Sequence, residues 1–369
     1  MTAAQFEIQA VALVVAAACA LPGVFLVLRR SAMMSDAISH AILFGIVIGF
    51  FLVRDLASPV LILAAAATGV LTVTLVELLT QSRLVREDAA IGLVFPALFS
   101  IGVILIARYA GSVHLDTDSV LLGEIAFTPF DRLTLLGVDV GPQALWVMAG
   151  ILVLSLAFIL LFYKELKLAT FDAGLAAAIG FSPVLIHYAL MSLVSLTAVG
   201  AFDAVGSILV VALMIAPPAA AYLLTDRLDQ MLWLSVGIGV VAAEIGFWSA
   251  YLLDVSIAGA MATATGLCFA LVYLWAPGRG LIANRRRQAR QRWEFAVTML
   301  LIHLFHHEDR PEASEENREA HLTDHIAWTP DFARRVVARA EQRDLLARSA
   351  GVLRLTAAGR RQAQQAMLR

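Results

Sequence analysis

Residues 31–53 read Ser31-Ala32-Met33-Met34-Ser35-Asp36-Ala37-Ile38-Ser39-His40-Ala41-Ile42-Leu43-Phe44-Gly45-Ile46-Val47-Ile48-Gly49-Phe50-Phe51-Leu52-Val53. The run predicts an apolar helix, long enough to cross a membrane, that opens with a carboxylate and an imidazole four residues apart. Residues i and i+4 share a helix face with Cβ atoms about 5–6 Å apart, so Asp36 and His40 can hold one cation between them. Oxygen plus imidazole suits manganese, zinc or iron(II). An unpaired charge at the membrane centre costs roughly 2.5–3.5 kcal/mol or more, so ionisable residues there usually mark a substrate path. The pair also fits a helix start near the interface, with Asp36 favoured by the helix dipole and His40 bonded to a neighbour. The two residues alone leave both readings open.

The composition carries the apolar character through most of the chain. It is 60% hydrophobic and 15% charged, with a mean hydropathy of +0.82, which marks a polytopic membrane protein. Residues 1–277 carry 10 Lys and Arg against 18 acids, a net of −8; residues 278–369 carry 17 Arg, no Lys and 11 acids, a net of +6, which together give the chain's −2. The shift in hydropathy and sign near Pro277-Gly278-Arg279-Gly280 separates a membrane domain, 1–277, from a basic linker and helix start, 278–294, and a soluble domain, 295–369. Cys19 and Cys268 fall inside apolar runs and read as small core residues, with no disulfide framework or cysteine metal site. The run Ile8–Leu28 lacks a basic leader and an obvious cleavage site, and so reads as a first span rather than a signal peptide.

Eight or nine spans are expected. The nine candidate stretches are Ile8–Leu28, Ala37–Val53, Pro59–Leu79, Ala90–Ala107, Gln143–Phe162, Val184–Gly200, Val205–Leu224, Met231–Leu252 and Ile257–Trp275. With an outside N-terminus, Arg29, Arg30, Arg83, Arg86, Lys164, Lys167 and Arg227 lie inside, against Arg54, Arg108 and Arg132 outside. The positive-inside rule favours that orientation and puts the basic tail in the cytoplasm. The short apolar stretch Val120–Ala126 reads as a re-entrant or surface helix. Residues 165–182 read as one amphipathic cytoplasmic helix, capped by Thr170 or Asp172 and ended by Gly180, with an Ala-rich surface able to dock in a partner's groove.

Several motifs in order carry a resemblance. Met34-Ser35-Asp36-Ala37-Ile38-Ser39-His40-Ala41 with Gly45 and Gly49, Asp88-Ala89-Ala90-Ile91-Gly92, Leu121-Leu122-Gly123-Glu124-Ile125, Phe171-Asp172 with Ala176 and Gly180, and Val205 through Pro217-Pro218 to Ala221 resemble the permease subunits of ABC importers for manganese, zinc and iron. The likeness covers roughly residues 8–277. It implies an all-α dimeric channel in the bacterial cytoplasmic (inner) membrane, a homodimer or a heterodimer with a paralogous permease. It further implies a separate ABC ATPase subunit and an extracytoplasmic metal-binding lipoprotein, or solute-binding protein, as partners beside membrane lipid. By the same resemblance Asp36 and His40 match the intramembrane metal ligands, and Phe171, Asp172, Ala176 and Gly180 match the ATPase-coupling segment. The divalent metal, manganese first and zinc or iron next, would be cargo, with no permanently bound cofactor.

Other residues narrow the reading. No G-x-x-x-x-G-K-[ST] loop occurs, so the chain reads as a transport subunit and not an enzyme, with ATP hydrolysed by a partner chain; the lack of H-E-x-x-H disfavours an intramembrane zinc hydrolase. Glu77, Asp203 and Glu244 lie in or near spans and either stage the cation or serve helix-end and helix–helix hydrogen bonds. His114, Asp116 and Asp118 in the outer loop either receive metal from the binding protein or form a solvated loop.

In the tail, Phe295, Ala296, Met299, Leu300, Ile302 and Leu304 follow a helical period. Thr329-Pro330-Asp331 signals a helix start, and Val352-Leu353-Arg354-Leu355 followed by Thr356-Ala357-Ala358-Gly359-Arg360 reads as strand then helix. This order resembles the small α+β winged helix of diphtheria-toxin-repressor-type metalloregulators. The resemblance implies either DNA contact through Arg334, Arg335 and Arg339 or a protein dock. His303, His306 and His307, with Glu308 nearby, and His321 and His325 have spacings that suit a regulatory metal site or plain exposed histidines. A rival reading of the whole chain is a membrane-tethered, metal-responsive transcriptional sensor using that winged helix.

Overall fold

The structure is a computed structural model that describes residues 2–54, 58–109, 125–135, 138–308, 316–318, 322, 328–349 and 351–368. The chain forms two compact units, Met1–Arg279 and Gly280–Arg369.

The first unit runs α1 (Ala3–Leu28), α2 (Met33–Val53), α3 (Pro59–Gln81) and α4 (Glu87–Tyr109), then a 3-10 turn at Ile125–Phe130 and a hairpin of β1 (Arg132–Leu135) and β2 (Val138–Pro142). It continues with α5 (Gln143–Leu161), α6 (Tyr163–Phe171), α7 (Ala173–Ala178), α8 (Pro183–Val205), α9 (Ser207–Leu224), α10 (Leu228–Leu253) and α11 (Ile257–Trp275). Among the described residues nine helices, α1–α5 and α8–α11, are long and apolar enough to cross a membrane. A membrane core offers backbone groups no water to bond, and helices satisfy them internally. Of the apolar stretch 120–126 only Ile125 and Ala126 are described, and they open the 3-10 turn.

Small residues set how closely these helices pack. A Cβ on Gly45 would lie 2.6 Å from the Ala64 carbonyl oxygen and 2.7 Å from Ala65 Cα, so α2 and α3 meet backbone to backbone there. Gly49, one turn on, would meet Ala64 Cβ at 3.0 Å. From the far side Ser195 Oγ of α8 donates to the Ala66 carbonyl of α3 at 2.9 Å, fixing a third helix to the same seam. The β1–β2 hairpin is tied to α1 by Arg132, which pairs with both Glu7 and Asp139. The Gly141 amide and the Arg132 guanidinium hold Asp139 below the usual carboxylate range.

The segment expected to be one helix over 165–182 is two. Asp172 leaves helical geometry and its carboxylate accepts the Leu175 amide at 2.9 Å, so it ends α6 and caps α7. Gly180, with φ of +99°, supplies the left-handed turn after α7.

The second unit holds α12 (Leu281–His307), α13 (Pro330–Glu341), an antiparallel hairpin of β3 (Leu346–Ser349) and β4 (Val352–Leu355), and α14 (Ala357–Met367). Its core joins Val297, Leu300, Leu301 and Leu304 of α12 to Val336 and Val337 of α13 and Leu353 of β4. Pro330 occupies the first turn of α13 as expected, but the Thr329 side chain makes no capping bond; Thr356 does cap α14, accepting the Gly359 amide at 3.1 Å.

Candidate functional site

From Met34 to Val47 every residue of α2 is buried except Asp36, His40, Phe44 and Ile46. The first three recur every fourth position, which is one stripe of a helix. The apolar pattern therefore seats α2 against its neighbours on all sides but one, and that uncovered stripe carries the two ionisable groups. His40 Nε2 lies 3.4 Å from Asp36 Oδ1, with the two side chains 30% and 33% exposed. The His40 ring is steadied by Phe95 of α4 at 5.6 Å between centroids. On the covered side, Ser39 Oγ donates back to the Ser35 carbonyl at 2.9 Å, so those hydroxyls are satisfied within the helix. An imidazole and a carboxylate in register, partly exposed, offer two donor atoms of the kind that bind a transition-metal ion.

A second polar cluster lies at the same end of the bundle, and the sequence reading missed most of it. Arg29, just past α1, donates through Nε to Thr170 Oγ1 of α6 at 3.2 Å, while its Nη1 lies 3.1 Å from His187 Nδ1 of α8. His187 Nε2 is 2.7 Å from Glu77 Oε1 of α3, in ion-pair contact but out of line for a hydrogen bond. Arg29, Glu77 and His187 border a cavity of about 310 Å³ whose walls also include Ser31, Met34 and Glu87. Met34 is two residues before Asp36, so the cavity opens beside the start of the α2 stripe. Glu77 had been singled out from sequence; Arg29 had served only as a charge marker and His187 carried no signal, because their partners are 141 and 110 residues away. Asp203 is exposed in the last turn of α8 and Glu244 is half-buried in α10.

The coupling candidates sit on the exposed break between α6 and α7. Phe171 is exposed, as are Leu175, Ile179 and Phe181, whereas Ala176 is buried and anchors α7. Four apolar side chains in eleven residues make a surface that a partner would cover. The outer candidates His114, Asp116 and Asp118 lie outside the described residues, as do His321 and His325.

Residues 4–276 match the ABC 3 transport family. The chain belongs to the ABC 3 transport family. Among its relatives, the "Zinc transport system membrane protein TroD" of Treponema pallidum (strain Nichols) is 49% identical over 353 residues, 96% of each protein. The "Manganese transport system membrane protein MntD" of Bacillus subtilis (strain 168) is 50% identical over 278 residues, 75% of this chain and 94% of that protein. The solved structure "PsaBC from Streptococcus pneumoniae in complex with Fab" matches with a TM-score of 0.63 at 28% identity, over 76% of this chain and 94% of that one. This ABC 3 member is thus a multi-pass membrane protein of a transport family. The family match ends at residue 276, before the second unit, whereas the match to TroD, over 96% of this chain, takes in most of that unit as well.

In that unit the arginines named for DNA contact are engaged locally. Arg334 bonds Asp331 at 2.5 Å, and Arg335 and Arg339 lie over the Trp293 ring at 6.0 and 5.4 Å. Glu308 is paired with Arg360. His306 is exposed, while His303 and His307 turn to the same face of α12 and meet Glu316.

Proposed function

We propose that the chain is the permease subunit of an ATP-driven importer of a divalent transition metal, manganese first, with zinc and iron as the alternatives. The observation that carries this reading is the uncovered stripe of α2, which presents Asp36 and His40 together on an otherwise buried helix. Two copies, or one copy and a paralogous permease, meeting along that stripe would bring two carboxylates and two imidazoles together, a full set for one cation. The relatives' names support both zinc and manganese as cargo, and a two-donor pair of this kind serves either.

In this reading an extracytoplasmic solute-binding protein delivers the ion, with His114, Asp116 and Asp118 as its receiving loop. The Asp36/His40 ligands then hold it, and it leaves past Glu77 and His187. A separate ABC ATPase docks on Phe171, Asp172, Ala176 and Gly180. Arg29 is the mechanical link: one guanidinium bonds the docking segment at Thr170 and the exit at His187. No permanently bound cofactor is needed, and the chain itself performs no chemistry. The arginine bias of the loops supports an outside N-terminus, with residues 280–369 in the cytoplasm of a bacterial cell as a winged-helix-like module. Because Arg334, Arg335 and Arg339 are engaged within that module, we assign it to the transporter rather than to DNA.

The test is uptake of manganese, zinc and iron by cells carrying the whole transporter, comparing the intact chain with Asp36→Ala/His40→Ala at equal membrane abundance. Accumulation of one metal that vanishes in the double variant is expected. Unchanged uptake would place the site elsewhere and leave the pair as helix architecture.

A further inference from the structure

We propose that His303, His307 and Glu316 form a binding site for one divalent transition-metal ion within residues 280–369. One ligand atom from each of the three lies within 4.8 Å of the others, and all three residues are half-buried. His303 and His307 are an i, i+4 pair near the end of α12, with ring centroids 4.7 Å apart, so the helix itself holds the two imidazoles side by side.

Glu316 reaches them from outside the helix, and its placement is built. The Leu353 amide of β4 donates to the Asn317 carbonyl at 2.9 Å, and Arg318 forms a β-bridge with Val352. Asn317 and Arg318 are thereby pinned to β4, and Glu316, the residue before them, is held beside the two histidines. His307 Nδ1 and the side-chain oxygen of the adjacent, buried Asn317 are enclosed without a hydrogen-bond partner. Leaving such groups unmade costs on the order of 1–3 kcal/mol each, an expense that a cation and its water ligands would remove.

The donor set selects the ligand class. Two neutral imidazoles and one carboxylate suit manganese, iron(II) or zinc, and imidazole disfavours magnesium and calcium. Ligand atoms about 2.0–2.2 Å from one metal stand roughly 3–3.5 Å apart, so the present spacing closes by a rotamer adjustment of about an ångström. Its place separates this site from the α2 pair: all three residues belong to the second unit, and the family match ends at residue 276, before that unit begins. Binding here stands independently of the importer reading. If that reading holds, the site samples the metal on the receiving side of the membrane.

The experiment uses the full-length chain in detergent, carrying Asp36→Ala/His40→Ala to remove the other candidate. Zinc, manganese and cobalt(II), each alone, are titrated by equilibrium dialysis with elemental analysis, and the visible spectrum of the cobalt form is recorded. About one ion per chain is expected, with cobalt bands showing nitrogen and oxygen ligation. Glu316→Gln and His307→Gln should each weaken binding by about tenfold or more, since even loss of an outer partner costs 10–100-fold. His306→Gln, which alters the exposed neighbour, should leave it unchanged. Thermal unfolding without metal checks that the variants fold; Glu316→Gln keeps size and shape and decides the matter if His307→Gln does not fold. No bound ion, or one that survives Glu316→Gln at full affinity, would overturn the proposal and leave the cluster as a histidine–glutamate ion pair. Loss of metal uptake in Asp36→Ala/His40→Ala bears only on the importer reading, so the two can fail separately.

Discussion

Replacing Gly45 with alanine tests whether the α2–α3 seam holds the Asp36/His40 stripe in place. The added Cβ would lie 2.5 Å from Thr68 Oγ1, 2.6 Å from the Ala64 carbonyl oxygen and 2.7 Å from Ala65 Cα. Thr68 can rotate away, but the other two atoms are main chain of α3. Restoring ordinary contact requires α2 to move off α3 by roughly 1 Å, and overpacking of this kind costs about 1–3 kcal/mol. His40 is five residues from Gly45, about 7.5 Å along a stiff helix, so it moves with the seam. A binding constellation tolerates displacements of only about 0.5 Å. Gly45→Ala should therefore reach the membrane, unfold at lower temperature in detergent and lose most metal uptake. Two companions give the scale. Gly49→Ala would meet Ala64 Cβ at 3.0 Å and Leu61 Cα at 3.2 Å and should be milder, while Gly92→Ala meets nothing within 4 Å and should be neutral. The assays are uptake at equal membrane abundance and the thermal midpoint of purified protein. If Gly45→Ala matches Gly92→Ala in both, α2 does not rest on α3 in this way and the reasoning fails.

Two other outcomes follow from the contacts described. Arg29→Ala removes the bonds to Thr170 and His187, charge-assisted contacts of about 1.5–3 kcal/mol each at most. ATP hydrolysis by the assembled transporter should persist while metal carried per ATP falls several-fold; an unchanged ratio would remove Arg29 as the link. In the second unit, bidentate bonding to Arg343 at 2.7 and 2.8 Å holds Glu294 below the usual glutamate range. A carboxylate with a lowered folded value contributes stability above its unfolded pKa, about 4.3, and loses it as pH falls through the folded value. The thermal midpoint of the intact chain should exceed that of Glu294→Gln near neutrality and converge with it in acid. The pair is largely solvent-exposed, so the difference will be small, and a difference that grows on acidification would contradict the assignment.

What the sequence determined by itself was local. Twenty-residue apolar runs specify helices because the backbone bonds within each run, and the Asp36/His40 pair was legible because four residues make one turn. The Thr356-led start of α14 and the β4 strand were legible for the same reason. Even short-range signals left a choice of cap between Thr170 and Asp172; the structure uses Asp172, which breaks the segment 165–182 in two. Only the tertiary structure decided that the Asp36/His40 stripe of α2 stays uncovered, since a polar pair can as well be buried between helices, and close packing around Gly45 and Gly49 turns another side of α2 onto α3. The same holds for the cluster of Arg29, just past α1, with Glu77, Thr170 and His187 from three further helices. Glu316 beside His303 and His307, with Glu308 paired with Arg360, likewise depends on the pairing of residues 317–318 with β4. Side chains separated by scores of residues meet only after chain packing has fixed their helices, and no sequence spacing records that meeting.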